Sequence, residues 1–146
     1  MLMYVWVALG SALGGVARYG CALLASSWLG DAFPWGTIFI NASGSFVIGF
    51  FATVTGTEGR VLVRSEARVF VMVGICGGYT TFSSFSLQTF LLLRQGAFLA
   101  AGANTVLSMV LCLAAVWLGH ASASAVNRPP RTRRRLQQRH TPGIEE

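Results

Sequence analysis

The 146-residue sequence contains no lysine and only five acidic residues. Charged side chains make up 11% of it, where an ordinary soluble domain carries about 25%. A water-soluble fold could not cover its core with so little polar surface. A bilayer removes that requirement, because apolar side chains can face lipid. The hydrophobic share of 53% and the mean hydropathy of +0.59 point the same way.

Other absences narrow the class. The three cysteines, Cys21, Cys76 and Cys112, lie in apolar runs with no C-x-x-C spacing. Disulfide and metal-thiolate readings are therefore weak, and buried, inert thiols are expected. The first apolar run has no basic residues before it, so it reads as a retained helix rather than a cleaved signal. No part of the chain repeats another. An inverted-repeat transporter needs two related halves, which a chain this short supplies only by pairing two copies, so a dimer is expected. No carboxylate lies in the middle of an apolar run; Asp31, Glu58 and Glu66 all fall in links. A proton-coupled exporter, such as a small multidrug transporter, needs an intramembrane acid, and that class is disfavoured. A membrane subunit that packs with a partner without conducting is the other alternative.

What the chain does contain is four apolar runs, each long enough to cross a bilayer. They span about residues 2–24, 35–55, 69–93 and 97–121. Links at 26–33, 56–68 and 94–96 are short, which implies antiparallel neighbours. Pro34 suits a first helical turn, where its missing N–H costs nothing. The fold class is thus all-α integral membrane protein. Residues 1–121 form a four-helix transmembrane domain and residues 122–146 an Arg-rich tail. That tail carries Arg128, Arg131, Arg133, Arg134, Arg135 and Arg139. A disordered juxtamembrane segment against anionic headgroups is the expected reading, in preference to nucleic-acid binding. Both termini share one side with the link that holds Arg60, Arg64 and Arg68. The positive-inside rule then predicts cytoplasmic termini in the cell's inner (plasma) membrane.

Glycine is plentiful inside the runs, as at Gly10, Gly14, Gly15, Gly44 and Gly49. Close helix packing through small residues explains most of it. The third run differs. Gly77-Gly78 is followed by Tyr79-Thr-Thr-Phe-Ser-Ser-Phe-Ser86, with six hydroxyl residues in eight positions. Paired glycines and β-branched threonines weaken a helix. A break in mid-membrane frees backbone groups that must find partners or line a cavity. The pattern therefore predicts either a repaired kink or an ion site. Phe82 and Phe85 stand three apart on one helix face. They are either core packing or, through their electropositive edges, part of an anion path. Ser83, Ser84 and Ser108 offer hydroxyls, and Asn41 offers an amide at mid-depth in the second run. Arg18 is the one charge inside a run; it either snorkels to the interface or draws an anion to a pore mouth. Donor side chains without an acid favour an anion pathway.

These residues carry a resemblance. Gly14-Gly15-Val-Ala-Arg18, Pro34-Trp-Gly-Thr-Ile-Phe-Ile-Asn41 with Gly44, and Gly77-Gly-Tyr-Thr-Thr-Phe-Ser-Ser-Phe-Ser86 together resemble the CrcB/Fluc fluoride channel family, over about residues 1–121. The resemblance implies an antiparallel, dual-topology-type dimer with two fluoride pores and a structural Na+ at its centre. Gly77 and Thr80 would hold that ion through backbone carbonyls, each contributed twice; oxygen ligands suit a hard cation. The implied fluoride pathway comprises Asn41, Phe82, Phe85, Ser83, Ser84, Ser108 and Arg18. Four positions depart from the family pattern: Tyr79 for a usual Leu, Ser84 for a usual Thr, Gln88 where an acid is common, and Cys112 where some members have serine. The implied partner is a second copy or, if the Arg-rich tail fixes orientation, an oppositely oriented homologue.

Overall fold

The computed structural model describes residues 1–57 and 59–127. All the regular secondary structure among the described residues is helix, with no strand. Helix α1 (Leu2–Leu29) and α2 (Trp35–Val54) are followed by a third segment in pieces. It comprises α3 (Ser65–Val69), a π-helical stretch (Phe70–Cys76), α4 (Gly77–Tyr79) and α5 (Phe82–Arg94). Helix α6 (Phe98–Asn127) ends the described chain. Among the described residues, four segments have the length and hydropathy to cross a membrane: Leu2–Leu29, Trp35–Val54, Ser65–Arg94 and Phe98–Asn127.

Three of the four spans run further than the apolar runs suggest. The third begins at Ser65, which puts Glu66 in a helical first turn instead of a link. A carboxylate is favourable there against the positive end of the helix dipole. The fourth continues to Asn127, six residues past its expected end at Ala121. Its last turn is tied down: the Arg60 N–H donates to Asn127 Oδ1 at 3.0 Å, and Asn127 Nδ2 donates to the Thr53 carbonyl at 3.1 Å. The guanidinium of Arg60 donates to the Val126 carbonyl at 3.2 Å. The link between the second and third spans thus lies at the same end as the foot of α6, as the count of spans requires. The Arg-rich segment after Asn127 lies outside the described residues, as does Glu58.

Between α5 and α6 the turn is a Schellman motif. Ala97 N–H reaches the Leu92 carbonyl at 2.9 Å and Gly96 N–H the Leu93 carbonyl at 3.0 Å. Gly96 sits at φ 74°, a left-handed conformation that side chains disfavour.

Helix contacts run through small residues. Helix α1 packs on the π-helical stretch and α4, while α2 packs chiefly on α6. A Cβ on Gly10 would stand 2.8 Å from Gly74 Cα, and one on Gly78 would stand 2.8 Å from Ser11 Cα. Across the other interface, a Cβ on Gly119 would stand 2.8 Å from the Phe50 nitrogen. Backbones meet at these points, as expected where lipid supplies no hydrophobic drive between helices. The buried apolar set is correspondingly small: Ile38, Ile40, Val54, Cys76, Ala101 and Ala123. Large side chains such as Leu13, Phe39 and Leu113 face outward, the arrangement a bilayer permits and water does not.

Candidate functional site

The third span does break, and the break falls at Thr80 and Thr81, just past the glycine pair. Gly77 is still helical, with φ −65° and ψ −37°. Thr80 is extended at φ −77°, ψ 157°, and Thr81 at φ −150°, ψ 108°. Gly78 instead serves the packing against α1. The two threonines tolerate extension because each hydroxyl finds a local partner. Thr80 Oγ1 donates to the Cys76 carbonyl at 2.8 Å. Thr81 Oγ1 accepts from the Ser84 N–H at 3.1 Å and so caps α5, a contact that stabilises a helix start by about 1 kcal/mol.

Asn41 closes the other side of the break. Its Oδ1 accepts from the Thr81 N–H at 2.7 Å, and its Nδ2 donates to the Thr81 carbonyl at 3.0 Å. In an unbroken helix the Thr81 N–H would serve the Gly77 carbonyl, and the Ser84 N–H would serve the Thr80 carbonyl. Both donors are diverted, the first to Asn41 and the second to Thr81 Oγ1. The carbonyls of Gly77 and Thr80 therefore lose their helical donors. They are the oxygens the family resemblance assigns to Na+, and their chemistry fits a hard cation.

A cleft of about 340 Å³ lies along the break. Asn41, Gly77, Thr80, Phe82, Phe85 and Ser108 all line it, with Thr81 and Cys112. The rings of Phe82 and Phe85 stand 5.4 Å apart at 45°. Phe82 is 75% exposed in this single chain. Ser108 is buried, with its hydroxyl 3.5 Å from Asn104 Oδ1. Three expected residues stand elsewhere. Ser83 and Ser84 are outside the lining, each turned toward Thr81 Oγ1, at 3.2 and 3.0 Å respectively. Arg18 is half-buried on α1 and does not line the cleft.

The family model for CrcB-like protein, Camphor Resistance (CrcB), matches residues 5–120. The chain belongs to the CrcB family. Three relatives carry the name fluoride-specific ion channel FluC. The protein of Methylocella silvestris is 58% identical over 124 residues, covering 85% of this chain and 95% of the relative. That of Paramagnetospirillum magneticum is 57% identical over 128 residues, covering 88% and 100%. That of Opitutus terrae is 56% identical over 127 residues, covering 87% and 96%. The matched region reaches into all four spans, and the chain is a multi-pass membrane protein.

Some polar residues escaped the sequence reading of this CrcB-family chain. Asn104 is only 1% exposed, and its Nδ2 donates to Thr89 Oγ1 at 2.8 Å. It stands one turn before Ser108, and that spacing was the available signal. Thr81 lies at the centre of the break, yet in the sequence it is one hydroxyl among six. A second cleft, of about 430 Å³, opens between the end of α1, the start of α2 and α5. Ser26, Asp31, Thr37, Gln88 and Gln95 line it. Gln88 Oε1 is buried there without a hydrogen-bond partner among the described residues.

Proposed function

We propose that the chain is one subunit of a fluoride-selective channel that passively exports fluoride across the cell's inner membrane. The observation that carries the reading is convergence. Asn41, Phe82, Phe85 and Ser108 come from three different spans and meet on one cleft beside a helix break, without an acid among them. The names of the FluC relatives supply the ion.

The physical task is dehydration, since burying an isolated charge costs far more than burying a neutral polar group. Asn41 has two amide protons, of which one is committed to Thr81; the other is free to face the cleft. Ser108 contributes a hydroxyl held only loosely, at 3.5 Å, by Asn104. The edges of Phe82 and Phe85 carry partial positive charge, and they can hold a small anion without trapping it. Weak, successive sites of this kind allow exit as well as entry. Ser83 and Ser84 would extend the track on the other side of α5, and Arg18 would draw anions to the mouth. No bond is made or broken: the protein is a channel and not an enzyme.

The assembly is an antiparallel dimer, of two copies or with an oppositely oriented homologue. In it the Gly77 and Thr80 carbonyls would each occur twice around a structural Na+, whose role there is to hold the two broken helices together. The test is fluoride efflux from liposomes containing the purified protein, read by a fluoride electrode. Efflux well above that of empty liposomes supports the reading; efflux equal to theirs removes it.

A further inference from the structure

The residue just before the break, Tyr79, plays no part in the pathway above, yet its hydroxyl is engaged. It lies 3.0 Å from Ser43 Oγ on α2, with Cys21 Sγ of α1 next, at 3.6 Å. Ser43 commits its own proton to backbone, donating to the Phe39 carbonyl at 2.8 Å and the Ile40 carbonyl at 3.1 Å. Its oxygen is therefore the acceptor, and the Tyr79 O–H is the donor. A phenol is rarely left inside a membrane without a partner, and this one joins the third span to the second.

The position of that bond matters. Asn41 and Ser43 are two residues apart on α2, so they stand on opposite flanks of the helix. The third span crosses α2 between them, at Gly44. A Cβ there would clash with the Thr80 methyl and stand 3.2 Å from Tyr79 Cδ1. On one flank Asn41 holds Thr81; on the other Ser43 holds Tyr79. Thr80, the extended residue between them, has a bond to α2 before it and a pair of bonds to α2 after it. With a single anchor on α2, the packing of α1 on Gly78 would be left to oppose a turn of the broken span about the crossing point. Anchors on both flanks fix that angle, and with it the lie of Gly77, Thr80 and Phe82 along the cleft.

We propose that Tyr79 is a positioning residue of the ion pathway, which sets the width of the cleft by bonding Ser43 on the flank of α2 opposite Asn41. This rests on the channel reading above. The cleft's width decides which halide fits, so the loss of the Tyr79 hydroxyl lowers discrimination, not only throughput.

The experiment compares wild type, Tyr79→Phe, Ser43→Ala, Ser43→Thr and the Tyr79→Phe/Ser43→Ala double variant in liposomes. It reads the ratio of fluoride to chloride flux, which does not depend on the fraction of protein that is active. Tyr79→Phe keeps the ring and removes only the hydroxyl. The ratio is expected to fall about threefold to tenfold in Tyr79→Phe and Ser43→Ala, the equivalent of one interhelical hydrogen bond. The double variant falls no further, and Ser43→Thr keeps the ratio. Amide hydrogen exchange across residues 77–82 in detergent speeds up in the same variants. An unchanged ratio in Tyr79→Phe, or additive losses in the double variant, overturns the proposal. Faster exchange in a protein whose wild type passes no fluoride would sink the channel reading while leaving the two-flank anchor standing.

Discussion

Asn41 and Thr81 grip one another through a matched pair of hydrogen bonds, amide to backbone, at 2.7 and 3.0 Å. One side chain on α2 satisfies both backbone groups of a residue that has left the helix. Thr81 is 7% exposed, so water does not replace that partner readily. Leucine at position 41 would strand a buried N–H and a buried C=O, each at a cost of about 1–3 kcal/mol. Asn41→Leu is therefore expected to lower the thermal stability of the detergent-purified protein and to abolish fluoride flux. A variant with wild-type melting and wild-type flux would show that the break needs no such support.

The aromatic pair makes a different demand. Isoleucine fills much of the volume of phenylalanine but has no electropositive edge. Phe82→Ile and Phe85→Ile should keep the melting temperature of the wild type. Each should slow fluoride efflux by about tenfold or more, the equivalent of ~1.4 kcal/mol on the barrier. Phe82 offers the cleaner comparison, because its ring is largely exposed in the single chain and has less packing to lose. Unaltered flux in both variants would take the rings out of the mechanism.

Much of this was legible in the residues, for physical reasons. Four long apolar runs leave little choice in a bilayer, and the hydroxyl-rich stretch after Gly78 marked the third as the span that would not stay helical. The location of the break was less legible. Propensity points at Gly77 and Gly78, since glycine weakens helices, but both remain helical, and α1 packs directly on the backbone of Gly78. The extended residues are the threonines, and what decides this is tertiary: Asn41 is forty positions away in sequence. The π-helical stretch at Phe70–Cys76 left no mark in composition or periodicity that sequence reading could use. Donor groups were identified by type, yet their geometry was not. Ser83 and Ser84 turn to Thr81, and Asn104 stands behind Ser108.

Asn104 links Ser108, at the cleft, to Thr89 on α5. It is almost wholly buried, and its amide joins α6 to Thr89 on α5. Thr89 keeps a second partner, donating to the Phe85 carbonyl at 2.8 Å. Replacing Asn104 by leucine thus strands no donor on α5. The expected cost is that of one membrane hydrogen bond, about 0.6–2 kcal/mol, seen as a modest drop in melting temperature with the fold intact. Collapse of the protein on Asn104→Leu would mean that the residue supports more than its bond to Thr89 and its long contact with Ser108.

The adjacent glycines of α1 give the sharpest structural comparison. A Cβ on Gly14 would stand 2.8 Å from the Tyr79 nitrogen and 3.1 Å from the Gly78 carbonyl carbon. Those are backbone atoms at the edge of the break and cannot rotate away. A Cβ on Gly15 meets nothing within 4 Å in the described chain. Gly14→Ala must push α1 off the third span or push the break toward the cleft, an overpacking cost of about 1–3 kcal/mol. Gly15→Ala gains slightly in helix propensity, by about 1 kcal/mol. Thermal melts and fluoride efflux should therefore separate the two neighbours, with Gly14→Ala impaired in both and Gly15→Ala unimpaired in both. Equal damage from Gly15→Ala would place a further surface, such as that of a second subunit, against the outer face of α1. Tolerance of Gly14→Ala would mean that α1 and α4 do not meet backbone to backbone, and the helical conformation at Gly78 would need another cause.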